Sequence, residues 1–83
     1  MLYRISPHAQ QQMETRGISS ESVDGVMQSP GQIVDAQGGK KCYQSLYDRS
    51  GSQALLRLIV ADDVAPAVIV TVYHTSRIDK YWI

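Results

Sequence analysis

The chain contains a single cysteine, Cys42, among its 83 residues. One thiol cannot form an internal disulfide, and a reducing cytoplasm is therefore the expected location. Residues 1–4 show neither the basic stretch nor the apolar core of a signal peptide. No apolar run approaches the ~18 residues that a membrane-spanning helix needs. We expect a cytoplasmic chain that has no membrane partner.

The chain also lacks an excess of charge of either sign. Its 8 Lys and Arg residues balance 8 Asp and Glu residues, so the formal net charge at pH 7 is zero. Domains that bind nucleic acids usually carry a clear excess of Lys and Arg. The composition alone therefore argues against a nucleic-acid partner, and any basic surface must be local.

Motifs for cofactors and metals are absent as well. The sequence has no phosphate-binding loop, dinucleotide fingerprint or nucleophile motif. Its two histidines, His8 and His74, are far apart, and Cys42 has no other ligand type next to it. We expect no metal ion and no cofactor.

Two helices are predicted near the start of the chain. Ser6-Pro7 is a favoured helix start and Gly17 a favoured stop, which predicts a helix over 7–16. A second helix follows Ser19 and ends at Ser29-Pro30-Gly31. This helix carries an apolar stripe at helical spacing, formed by Val23, Val26 and Met27.

After Gly31 the hydrophobic pattern changes to a period of two, which is typical of strands. Four strands are predicted, over residues 32–37, 41–47, 54–61 and 67–74. The short loops between them favour antiparallel hairpins. The chain is therefore predicted to be one α+β domain, residues 1–83, with two N-terminal helices packed on a four-stranded antiparallel sheet.

Two segments carry a recognisable residue pattern. The first contains His8-Ala9, Met13 and Arg16-Gly17-Ile18, followed by Val23 and the Ser29-Pro30 stop. The second runs from Ile69 to Trp82 and reads IVTVYHTSRIDKYW. Together they resemble a family of small bacterial proteins grouped with the BrnT and RelE toxins of toxin–antitoxin systems.

This resemblance implies a RelE-like fold, with two helices on one face of the sheet and an open concave face on the other. In the better-known relatives, basic and aromatic residues on that face cut messenger RNA, usually at the ribosome, and a cognate antitoxin covers the site. The resemblance thus implies a toxin with metal-independent endoribonuclease activity. The chain departs from the pattern in its neutral charge, in Gln12 where Arg is expected, and in a central strand poor in Lys and Arg.

Metal-free RNA cleavage needs a base for the 2′-hydroxyl, an acid for the leaving oxygen and cations for the phosphate charge. Histidine suits the proton transfers and arginine suits the phosphate. The resemblance therefore gives as candidate catalytic residues Arg57, Tyr73 and Arg77. The candidate RNA-binding residues are His8, Arg16, Lys41, Tyr43 and His74.

These candidates also have structural interpretations. Arg57 lies in an apolar strand, so it either faces a ligand's phosphate or pairs internally with one of the acidic residues Asp48, Asp62 and Asp63. Alternation puts Tyr73 and His74 on opposite faces of the last strand. Arg16 and His8 are also explained as helix-end residues, and Lys41 as a guard of a sheet edge.

Two further alternatives stay open on the sequence alone. The hydrophobic tail, Tyr81-Trp82-Ile83, either folds back on the sheet or provides a docking point for a partner. A chain that keeps the fold without a complete acid–base set would be a non-catalytic module that binds a protein partner.

Overall fold

The computed structural model describes residues 2–83, which form a five-stranded sheet with the two longer helices on one face. In chain order the elements are β1 (Tyr3–Ile5), α1 (Pro7–Arg16), α2 (Ser20–Gln28), β2 (Gln32–Asp35), β3 (Lys41–Arg49), β4 (Ser52–Ala61), β5 (Ala67–Thr75) and α3 (Ile78–Tyr81). The strand order is β1-β5-β4-β3-β2, with β1 parallel to β5 and the other neighbours antiparallel. No helix in the described part of the chain is long and apolar enough to span a membrane.

Both predicted helices form where their capping residues place them. The Ser6 hydroxyl accepts the N–H of Ala9 at 3.1 Å at the start of α1. Gly17 ends α1 in the left-handed conformation, with φ 65°. The Ser19 hydroxyl accepts the N–H of Ser22 at 3.1 Å at the start of α2. The two helices bury their apolar side chains, which are Ala9, Met13, Val23, Val26 and Met27.

Strand register decides which side chains share a face of the sheet. One row across β2 to β5 lies on the helix side and consists of Ile33, Tyr43, Leu58 and Val72. The next row lies on the opposite face and consists of Gln32, Gln44, Arg57 and Tyr73. The helix side holds the hydrophobic core. We call the second set the polar row.

A β-bulge in β5 changes the expected alternation. A regular strand would put Val68, Val70 and Val72 on the helix side together. The register shift makes Val70 an extra residue, and the residues fully buried in the core are instead Ile69 and Val72. The grouping predicted from alternation is therefore wrong for the first half of β5. The extra residue shifts the alternation of side chains by one position. Ile69 therefore faces the helices, whereas Tyr73, four residues later, faces away from them.

The outer edge of β5 is covered partly by β1 and partly by side chains of α1. Just beyond β1, the Ser6 N–H donates to the Ile69 carbonyl at 2.9 Å. Val72 then donates its N–H to Gln12 Oε1 at 2.8 Å and accepts Arg16 Nη1 at 2.6 Å. Gln12 and Arg16 are neighbours on one helix face, so α1 satisfies both backbone groups of Val72. An open strand edge would invite pairing with another chain, which this cover prevents.

The sheet and the helix count differ from the prediction. The sheet is five-stranded and mixed, because β1 adds a parallel strand that was not predicted. At three residues β1 is too short to show a period-two pattern. The four-residue helix α3 was also missed. A 3₁₀ turn over Gln37–Gly39 ends β2 earlier than predicted. The α+β class itself is confirmed.

Replacing Gln12 by alanine removes the side-chain acceptor of the Val72 N–H. We expect the free energy of unfolding to fall by about 1–3 kcal/mol, the cost of a half-buried donor left without a partner. Urea denaturation measures this change. The matched control is Gln11→Ala on the exposed side of the same helix, expected to change stability by less than about 0.5 kcal/mol. Equal effects of the two substitutions would contradict the role assigned to Gln12.

Candidate functional site

The polar row is a continuous set of hydrogen-bonded side chains across the face of the sheet away from α1 and α2. Gln44 Nε2 donates to Gln32 Oε1 at 2.8 Å. Arg57 Nε donates to Gln44 Oε1 at 3.0 Å, and Arg57 Nη1 donates to the Tyr73 hydroxyl at 2.5 Å. Because these residues lie opposite one another in adjacent strands, the sheet itself holds them at bonding distance.

Gln44 is the centre of this row and is completely buried. A buried amide is costly unless its donors and acceptor are paired. Its oxygen accepts from Arg57, and its nitrogen donates to Gln32 and, at 3.1 Å, to the Tyr81 carbonyl. Each bond ties Gln44 to a different element, so the amide fixes the arrangement around it.

Arg57 is half-buried and is held between polar and aromatic groups. Its guanidinium carbon lies 4.0 Å from the ring centroid of Tyr81 and 5.6 Å from that of Tyr73, within range for cation–π contact. The predicted alternative of a pair with Asp48, Asp62 or Asp63 is wrong. Among residues 2–83 no carboxylate forms an ion pair with Arg57, so its charge is stabilised only by neutral partners.

The C-terminal segment folds back on the sheet and covers one side of the polar row. Gln32 Nε2 donates to the Ile83 carbonyl at 2.6 Å, and the Ile83 N–H donates back to Gln32 Oε1 at 3.2 Å. Trp82 lies against Gly31, where an added Cβ would come within 2.9 Å of the indole ring. Of the two alternatives for the tail, the structure therefore shows the folded-back one.

A depression of about 420 Å³ opens beside the polar row, lined by Asp35, Ala36, Gln37, Arg57, Ile59 and Tyr73. Lys41 Nζ donates to Asp35 Oδ1 at 2.6 Å, and this bond holds the pKa of Asp35 below its usual value. Burial raises the pKa of the Tyr73 hydroxyl. Near neutral pH the depression therefore offers a fixed guanidinium and a neutral phenol. This combination suits binding of an anion better than proton abstraction.

The structure brings Arg57 and Tyr73 together, and Lys41 bonds Asp35 at the rim of the same depression. The other candidates lie elsewhere. His8 and Arg16 line a different depression, of about 290 Å³, along α1. Tyr43 lies in the hydrophobic core and donates to Asp62 Oδ2 at 3.0 Å. Arg77 is exposed just before α3. The predicted RNA-binding and catalytic residues therefore do not form a single site.

His74 lies on the helix side of the sheet, away from the polar row, as alternation predicts. Its ring centroid is 6.5 Å from that of Tyr47. Burial lowers the pKa of His74, and the positive charges of Arg49 and Arg16 lower it further. His74 cannot act as acid or base for a ligand bound at Arg57. Within residues 2–83 no cluster of three or more His, Cys, Asp or Glu side chains is placed to hold a metal ion.

Sequence reasoning missed the two glutamines and Tyr81, which complete the polar row. A signal for Gln44 was present in the turn between β3 and β4. If Ser50-Gly51 are its two central residues, the register puts Gln44 opposite Arg57, as the structure shows. The contact of Tyr81 with Arg57 has no such signal, because it depends on how the tail folds back.

The sequence matches one family model, described as a domain of unknown function (DUF4258), over residues 5–74. The chain belongs to the DUF4258 family. No curated protein and no solved structure matches it. Within this DUF4258 chain, the matched segment includes Gln44, Arg57 and Tyr73 and ends before α3. The tail that covers the polar row therefore lies outside the segment matched by the family model.

Replacing Gly31 by alanine should displace the tail of this DUF4258 domain, because the new Cβ would meet the Trp82 ring and the Gln44 carbonyl. We expect the fluorescence of Trp82, the single tryptophan, to shift to longer wavelength as the indole gains water. The control is Gly25→Ala in α2, where nothing lies within 4 Å of the added Cβ. That change should leave the fluorescence unaltered and stabilise the helix by up to ~1 kcal/mol. Unchanged emission in Gly31→Ala would contradict the packing of Trp82 on Gly31.

Proposed function

We propose that this chain is the toxin component of a bacterial type II toxin–antitoxin pair, acting in the cytoplasm and binding messenger RNA at the polar row. Arg57 provides the main support for this proposal. It is a half-buried guanidinium that no carboxylate among residues 2–83 pairs with, it faces an open depression, and neighbouring side chains fix its orientation. A cognate antitoxin would cover the same face until the toxin is released.

The chemistry of the polar row fits a ribose–phosphate backbone. A guanidinium donates to two phosphate oxygens at once, and Arg57 is already oriented by Gln44 and Tyr73. The Tyr73 hydroxyl lies beside it and can donate a further hydrogen bond. Tyr81 and Tyr73 supply aromatic faces of the kind on which unpaired bases stack. Cleavage would then depend on Arg57 stabilising the charge that builds up on the phosphate.

One observation favours a second function, a module that binds a protein partner without cutting RNA. Of the described residues, those that line the depression beside Arg57 include no histidine, and the acidic one, Asp35, is paired with Lys41. A partner protein would find large exposed apolar side chains at the sheet edges and loops, which are Leu2, Ile33, Leu46 and Val64.

Growth of a bacterial culture after induction of the chain separates the two functions. The toxin proposal predicts that the wild type slows growth and that Arg57→Lys relieves the effect, because lysine keeps the charge but loses the planar fork. RNA cleavage by purified protein should fall by about a hundredfold or more in Arg57→Lys. The control is Arg4→Lys, at an exposed position on β1. It should behave as the wild type.

Circular dichroism of each variant shows whether it is folded. Growth arrest that persists in folded Arg57→Lys would contradict the assignment of the polar row as the site. Normal growth with folded wild-type protein would contradict the toxin proposal. Capture of a protein encoded by the neighbouring gene, without RNA cleavage, would then support the binding module.

A further inference from the structure

A second group of basic side chains lies on the helix side of the sheet, where the end of α1 meets β3 and β5. We call it the α1 corner and define it by Arg16, Tyr47, Arg49 and His74. Arg49 Nη2 donates to the Arg16 carbonyl at 3.1 Å, so the side chain of Arg49 reaches the end of the helix. Arg16 itself bonds the Val72 carbonyl. Two guanidinium groups are thereby fixed by backbone carbonyls near one imidazole.

The basic side chains of the α1 corner form no ion pair with an acidic side chain in the described part of the chain. Within residues 2–83 neither Arg16 nor Arg49 forms an ion pair with a carboxylate. The charged groups that face His74 are Arg16 from α1 and Arg49 from β3, and both lower its pKa in addition to burial. From β4 the residue opposite His74 is Leu56, which carries no charge. A negative charge placed here would be attracted by both guanidinium groups and would favour the charged form of His74.

The corner also contains a polar atom that lacks a partner. The Tyr47 hydroxyl is buried and makes no hydrogen bond within the described part of the chain. Buried hydroxyl groups are normally satisfied, and an exception needs an explanation. The Tyr47 ring is the one that contacts His74.

A polar depression lies along α1 and has one residue, Arg16, in common with the corner. It has a volume of about 290 Å³ and is lined by His8, Gln11, Gln12, Thr15 and Arg16. Arg16 thus belongs both to this depression and to the corner. The lining side chains provide hydrogen-bond donors over more than one helical turn, which suits an extended polar ligand better than an isolated ion.

We propose that the α1 corner binds a phosphate group through Arg16, Arg49 and His74, with the depression along α1 accommodating the rest of a phosphate-bearing strand. The phosphate belongs either to an RNA strand or to free inorganic phosphate, and the two sources share the same recognition chemistry. The corner and the polar row lie on opposite faces of the sheet. This site therefore does not rest on RNA binding at Arg57.

The test follows the His74 ring signals by NMR during pH titrations with and without a ligand. One probe is the dinucleotide UpU, whose phosphodiester keeps a single negative charge between pH 5 and 8. The other probe is inorganic phosphate, and sodium chloride at equal ionic strength measures the general salt effect. Binding at the corner should raise the pKa of His74, because an anion favours the imidazolium form, and binding should weaken as pH rises through that pKa.

Arg49→Gln removes the charge and, because its side chain is shorter, also gives up the exposed hydrogen bond to the Arg16 carbonyl. Circular dichroism shows that the variant is folded before its binding is measured. We expect it to weaken binding of the probe by about tenfold or more, as for loss of one charged hydrogen bond. The matched control is Arg4→Gln, which removes the same charge from an exposed position on β1. It should change the affinity by less than about twofold, since exposed charges at a distance are screened.

A His74 pKa raised by UpU but not by inorganic phosphate supports the site with an RNA strand as the ligand, and the reverse supports free phosphate. A His74 pKa that neither probe moves beyond the chloride control would overturn the proposal. Equal weakening by Arg49→Gln and Arg4→Gln would also overturn it. Because His74 reports only on the α1 corner, its result is distinguishable from a failure of the growth test at Arg57.

Discussion

The arrangement of the polar face depends on one completely buried amide, that of Gln44. It is bonded at once to Arg57 in β4, to Gln32 in β2 and to the backbone of the C-terminal tail. A polar group in the middle of a sheet is stable only if each of its bonds is made. The position of the tail and the orientation of Arg57 are therefore linked through Gln44, and neither can change without leaving a buried group unpaired.

The sheet separates apolar packing from polar hydrogen bonding, because successive side chains of a strand point to opposite faces. The helix side holds the hydrophobic core and satisfies the edge of β5 through Gln12 and Arg16. The other side holds a charged side chain among neutral hydrogen-bond partners. The net charge of the chain is zero and therefore gives no indication of where its basic side chains lie. Arg57 on one face and the arginines of the α1 corner on the other form no ion pair with any carboxylate that the structure describes.

The sequence predicts the α+β class and much of the order of elements, because caps and alternation are local signals. The positions of Ser6, Gly17 and Ser19 place the ends of helices, and the β-branched runs place three long strands. It does not predict β1, whose pairing is with a segment at the other end of the chain. Nor does it predict the contact of Tyr81 with Arg57 or the bonds from Gln12 and Arg16 to the edge of β5, since these depend on tertiary packing. Of the site residues, Arg57 and Tyr73 are predicted from the sequence. Gln44 can be placed beside them only when the register of β3 and β4 is known.

The extra residue in β5 affects how this domain should be compared with its relatives. Val70 is the extra residue that lets Ile69 face the helices while Tyr73, on the same strand, faces Arg57. A relative lacking that residue would present a different side chain to the arginine, even with an identical motif on either side. Alignment gaps near position 70 therefore carry information about the site. They distinguish members of the family that retain this pairing of arginine and tyrosine from members that share only the fold.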